Sequence, residues 1–268
     1  MRKRPLILWF LAVMITFSSV VYQRLTGPTH SVRGSLDIGG EIVKFRLLRT
    51  HVTTSDATMN IAAPDSQVTG FLGWRRYKSH DTLRRVELER QGENLLVRIP
   101  KQPAAGKVIY QVTLVDAAGT KYELTEQPVI IRFKGPVPIS VLILHVILMF
   151  AGMLLSTRAG LGALSKEQRL FRLTAWTSAL IFIGGLIFGP IVQKLAFGEF
   201  WTGWPWGHDL TDSKTAFAMI FWLMALWRTR KSGKGRYLVV AAAVVTLLVY
   251  LIPHSVLGSE LDYTKSGV

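Results

Sequence analysis

The sequence predicts a membrane α-helical bundle of five helices with an outer all-β, immunoglobulin-like sandwich domain inserted after the first helix. Three observations predict it. Apolar runs at 5–22, 137–156, 174–193, 210–227 and 237–252 each approach the length that crosses a bilayer of about 30 Å at about 1.5 Å per residue. Between the first two runs, residues 33–135 switch to short alternating stretches broken by Gly, Pro, Asn and Asp, the pattern of strands and turns. The basic residues collect in alternate loops, which fixes an orientation. The composition agrees: 49% of the 268 residues are hydrophobic and the mean hydropathy is +0.30, values a purely soluble chain rarely reaches.

The first element, in 1–32, opens on Arg2, Lys3 and Arg4 and runs apolar to Tyr22, which reads as a signal anchor followed by a linker. The rival is a cleaved signal peptide, which requires a small-x-small site. Residues 33–135 carry "EIVKFRLL", "NLLVRIP", "KVIYQVTLVD" and "PVIIRFKG", about seven strands in roughly a hundred residues, the size of an immunoglobulin-like sandwich. This domain holds 16 basic and 11 acidic residues, a mild and interspersed excess that suits solvated strand faces better than an anion site. Residues 136–268 form the remaining four spans, with a tryptophan-rich outer loop at 195–213 and an outer tail.

Arg158, Lys166, Arg169 and Arg172 lie between the second and third spans, and Arg228, Arg230, Lys231, Lys234 and Arg236 between the fourth and fifth. With the basic N-terminus, these clusters place the N-terminus in the cytoplasm, the β domain outside and the C-terminus outside. The net charge of +15 is therefore topological, and no nucleic-acid partner is called for. The chain has no cysteine, so zinc thiolates, iron–sulfur clusters and covalent c-type haem are excluded.

The loop "WTGWPWGHDLTDSKT", residues 201–215, packs tryptophan, histidine and aspartate together. Asp209 is placed to N-cap the fourth helix and Asp212 to sit in its first turn, where negative charge is favoured; catalysis or metal binding is the alternative use of both. Trp201, Trp204 and Trp206 fit an interfacial aromatic belt. His145, His208 and His254 fall on one side of the predicted membrane. His145, Met149, Gly152 and Ser156 form one stripe of the second span. Gly185, Gly189 and Gln193 form one on the third, and Thr246, Tyr250 and His254 one on the fifth. Three polar stripes pointing inward predict an outer-leaflet site. In it, His145 and His254 can ligate haem b or a metal ion such as copper through neutral imidazoles, with Met149 as a soft neighbour and His208 as an auxiliary ligand. Tyr250, Gln193, Trp204 and Trp206 would line or cover it. A histidine bonded across helices for packing is the competing reading.

"WTGWPWGHD" resembles the tryptophan-rich outer loop of the haem-handling membrane proteins of cytochrome c maturation, through Trp201, Gly203, Trp204, Trp206 and Asp209. That resemblance implies haem held by histidines on the flanking helices, here His145 and His254. "GPIVQKLAFGEFWTG", "DLTDSKT" and "YLIPHSVLGSELD" resemble a group of uncharacterised bacterial inner-membrane proteins over the last half of the chain, which implies that membrane and no assigned activity.

The expected function is binding of haem b or a metal ion for electron transfer or cofactor handling. The alternative is a membrane-anchored scaffold or assembly protein whose β domain binds a periplasmic or membrane protein partner, with structural histidines. Neither a P-loop, H-E-x-x-H nor a Ser-His-acid context is present to support a hydrolase.

Overall fold

The computed structural model describes residues 3–167, 170–207, 209–232, 235–253 and 258–265. They form two compact units, one helical and one rich in β structure.

The helical unit contains five helices among the described residues: α1 (Lys3–Thr26), α2 (Ile139–Leu164), α3 (Leu170–Phe197), α4 (Leu210–Ser232) and α5 (Arg236–Leu251). α1, α2 and α3 are long and apolar enough to cross a membrane. α5 is equally greasy but has 16 residues, and α4 is diluted by charge at both ends, with Asp212 in its first turn and Arg230 and Lys231 in its last. Large apolar side chains such as Phe10, Ile147 and Trp176 are exposed, as expected where lipid replaces water as the solvent. Inside, Ala159, Ala163, Ile181, Met219, Trp222, Val239 and Ala242 make one core. Small residues let the backbones approach. A Cβ on Gly160 would stand 2.6 Å from the Ala243 methyl, and one on Gly185 would stand 2.6 Å from Thr215 Cγ2.

α3 is not a uniform α-helix. Phe182–Phe188 is π-helical, and the Gly189 N–H closes on the Gly184 carbonyl, an i→i+5 bond that widens the turn. Two adjacent glycines sit in this segment, where α2 presses on Gly184 and α4 on Gly185.

The β unit comprises Thr29–Pro136, Ala196–Gly198 and the tail from Glu260. It has eleven strands: β1 (Val32–Ile38), β2 (Glu41–Leu47), β3 (Thr50–Val52), β4 (Ala57–Ala62), β5 (Thr69–Arg76), β6 (Arg84–Glu87), β7 (Glu89–Gln91), β8 (Asn94–Ile99), β9 (Lys107–Val115), β10 (Lys121–Glu123) and β11 (Val129–Lys134). They pair as a β1-β2 ribbon, a β4-β8-β7 sheet and a larger sheet ordered β3-β11-β9-β5-β6, with β10 also on β9. The pairing is antiparallel except β3 with β11, which is parallel. The count exceeds the seven expected because β3, β7 and β10 have three residues each, too few to leave an alternation in the sequence. Strict alternation appears where a strand has one wet face: β4 reads buried-exposed throughout, with Ala57, Met59 and Ile61 inward. One core draws on all three sheets, including Val43 and Leu47, Ile61 and Val97, and Leu72, Tyr110, Ile131 and Phe133.

Candidate functional site

One end of the helical unit is built from the loop that follows α3. Asp209 caps α4: its Oδ1 accepts the Thr211 N–H at 2.8 Å, which satisfies one of the orphan donors of the first turn. Its Oδ2 has a second task. It accepts the Ser259 N–H and Oγ–H, each at 2.9 Å, with Gln193 Nε2 and Thr202 Oγ1 at 3.3 Å. Gln193 also donates to Thr202 Oγ1 at 2.8 Å and to Ser259 Oγ at 2.7 Å. Asp209 is 5% exposed. Burial alone would push its carboxyl up, but the hydrogen bonds from Ser259, Thr211 and Gln193 outweigh that and hold it below the ordinary carboxylate value.

Asp212 and Ser213 stitch the tryptophan loop to the same helix turn. Asp212 Oδ2 accepts the Thr202 N–H at 2.8 Å, and Ser213 Oγ accepts the Trp204 N–H at 3.0 Å. Lys214 is buried and donates to the Ile252 carbonyl at 2.7 Å, closing the end of α5. The loop backbone is thus fixed while Trp204 and Trp206 extend outward, 77% and 82% exposed.

His145 sits deeper. Its Nδ1 donates to the Gly184 carbonyl at 2.9 Å, inside the π segment of α3. Met149, one turn along α2, has its Sδ 3.1 Å from where a Gly184 Cβ would stand. Its carbonyl accepts the Tyr250 Oη–H at 2.6 Å. His145 and Tyr250 are thus each tied to a backbone carbonyl of a neighbouring helix, Gly184 on α3 and Met149 on α2. Thr246, a turn before Tyr250, instead accepts the Trp222 Nε1–H at 2.8 Å, and the Gln193 amide bonds Thr202, Asp209 and Ser259. His208 and His254 lie outside the described residues. Among the described residues no group of three His, Asp or Glu side chains is arranged to hold a metal ion.

Two polar positions carry more than the sequence suggested. Arg158, counted from the sequence as a loop charge, lies inside α2 with 5% exposure. Its Nη1 and Nη2 donate to the two Glu167 oxygens at 3.0 and 2.9 Å, a bidentate fork, and its guanidinium lies 5.4 Å from the Trp9 ring centroid. Ser259 falls in the tail segment "YLIPHSVLGSELD", but nothing in that segment points to its partners Gln193 and Asp209, 66 and 50 residues away.

No protein-family model matches the chain, and no curated protein matches it.

Proposed function

We propose that this chain is a membrane-anchored binding and assembly protein of the bacterial inner membrane. Its five helices hold an outer, immunoglobulin-like β unit that docks a protein partner, with the N-terminus in the cytoplasm and the C-terminus outside. The observation that carries this reading is the use made of the polar side chains in the helical unit. His145 bonds the Gly184 carbonyl, Tyr250 the Met149 carbonyl, Thr246 the Trp222 indole and Lys214 the Ile252 carbonyl, while Gln193 and Asp209 share Thr202 and Ser259. Each bond ties one segment of the unit to another, which is how polar groups act as glue between helices. With these polar side chains used for packing within the helical unit, the exposed strands of the β unit are the surface left to bind a partner. Photo-crosslinking residues placed singly at Leu83, Arg85, Ile42 and Gln127 of the full chain, in native membranes, test this. A discrete protein adduct from one β face is expected. Adducts to lipid alone at all four positions would overturn the reading.

A second reading is favoured by the His145 bond. Because Nδ1 donates to a carbonyl, Nε2 carries the lone pair, which is how a backbone acceptor orients a metal- or haem-ligating imidazole. In that reading His145 supplies one ligand to haem b or a metal ion such as copper, with His254 or His208 as the other. Loss of one bound species in both His145→Ala and His254→Ala supports it. Equal occupancy in wild type and both variants defeats it.

A further inference from the structure

We propose that a groove of the β unit between the start of β1 and the segment leading into β11 is the docking site for an extended, acidic protein segment that adds to the β11 edge. This rests on the partner-binding reading above and names the site and the chemistry of the partner.

The groove encloses about 500 Å³, within the range of about 300–1,000 Å³ typical of ligand clefts. Val32, Phe45 and Val129 give it an apolar floor. Phe45 lies flat there because Gly34 has no side chain: a Cβ would come within 2.5 Å of the ring.

Two arginines face this floor. Arg33 is exposed and Arg49 half-buried, both line the groove, and neither guanidinium has a hydrogen bond or ion pair to a described residue. Three other arginines of the unit are engaged, Arg76 with Asp81 at 2.7 Å, Arg85 with Glu87 at 3.2 Å, and Arg90 with the carbonyls of Ala63, Asp65 and Val68, whereas Arg33 and Arg49 stand together beside an apolar floor. Glu126 at the rim is exposed, so the lining keeps a net positive charge. A guanidinium presents a planar fork that matches a carboxylate, and two beside an apolar floor select an acidic ligand with apolar neighbours.

The third observation selects an extended chain. β11 pairs with β9 over Val129–Arg132, but on its other side β3 reaches only Arg132–Lys134. The Arg132 N–H is taken by the Arg49 carbonyl at 3.1 Å. Two residues earlier, by the alternation of a strand, the backbone of Ile130 faces the same side, where no strand of the described residues pairs with it. A partner strand entering there would gain main-chain bonds from Ile130. Every second side chain would face the apolar floor, with acidic side chains reaching Arg33 and Arg49, which is β-augmentation with charge-read specificity.

The test uses the full chain in zwitterionic nanodiscs and a fluorescein-labelled, end-blocked peptide of four Val-Glu repeats, with a Val-Lys peptide as control, read by fluorescence anisotropy. Saturable binding of the Glu peptide alone is expected. The double substitution Arg33→Gln with Arg49→Gln should weaken it by at least about tenfold, as losing charge-assisted hydrogen bonds does. Arg84→Gln with Arg98→Gln, the same loss of two charges at exposed positions on β6 and β8 outside the groove, should leave it unchanged. Equal binding of both peptides, no binding at millimolar concentration, or indifference to the double substitution overturns the proposal. So does loss of phosphatidylglycerol-vesicle binding in the double variant without peptide binding, which would make the ligand a lipid surface. Protein adducts from Leu83 or Arg85 with no groove binding would sink the groove and spare the partner-binding reading.

Discussion

Replacing Asp209 by asparagine separates a helix cap from a tertiary clamp. Asparagine caps a helix as well as aspartate does, so if the residue served α4 alone the substitution would be neutral. In the structure, Oδ1 serves the Thr211 N–H and Oδ2 the Ser259 N–H, at 2.8 and 2.9 Å. An amide has one oxygen and can face it to Thr211 or to Ser259, not to both. The contacts at 3.3 Å add little, because Gln193 and Thr202 keep each other at 2.8 Å. Asp209→Asn should therefore cost about 1–2 kcal/mol, the size of one lost buried acceptor. Asp209→Ala should cost about 2–3 kcal/mol, adding the lost cap of about 1 kcal/mol. On the scale of a chain this size, the alanine variant should melt lower by roughly 5–10 °C. The assay is thermal unfolding of the full chain in detergent, followed by circular dichroism. An asparagine variant that melts with the wild type would refute the clamp. The same carboxyl gives a pH signature. Its folded pKa is lowered, so its contribution is fully present above the unfolded value of about 4 and is lost as pH falls below that through the folded value. Asp209→Asn should flatten the acid limb of the stability curve.

Other perturbations have distinct expected sizes. Arg158→Ala breaks the fork to Glu167 and leaves a carboxylate without its partner; with Glu167 at 30% side-chain exposure, the cost should be about 2 kcal/mol, below the 3–5 of a fully buried pair, and Arg158→Lys should recover only part of it in the same melt. Gly185→Ala drives a methyl to within 2.6 Å of Thr215 Cγ2 and should cost about 1–3 kcal/mol, and Thr215→Ser, which removes that carbon, should restore most of it in a double-mutant cycle. Trp222→Ala, at a fully buried position, should cost about 3–5 kcal/mol, whereas Trp204→Ala and Trp206→Ala should each stay within about 0.5 kcal/mol in detergent.

The long apolar helices were legible because their signal is local: a run of Leu, Ile, Val and Phe between charged ends needs no knowledge of the rest of the chain. The larger strands were legible for the same reason, since β4 and β8 alternate residue by residue. What escaped is set by partners far away. The π segment of α3 differs from an α-helix by one position in its hydrogen bonding, and "FIGGLIF" has no composition that distinguishes the two. Arg158 reads as a loop charge because a positive-inside count weighs position along the chain, not burial. The cap on Thr211 could be foreseen from Asp209 standing just before an apolar helix, but the second oxygen answers to Ser259, fifty residues on. His145 stands out in the sequence as an ionisable residue within an apolar span, yet its partner is a backbone carbonyl, which every residue type offers and no sequence marks.

The role of His145 can be settled by measuring bound cofactor and unfolding in the same samples. This imidazole fastens α2 to the widened turn of α3 through the Gly184 carbonyl. His145→Ala purified beside the wild type from native membranes should lose about 1 kcal/mol, the scale of one interhelical hydrogen bond, with identical ultraviolet–visible spectra and metal content. One haem or one metal ion per chain in the wild type, absent from His145→Ala while that variant stays folded, would contradict it.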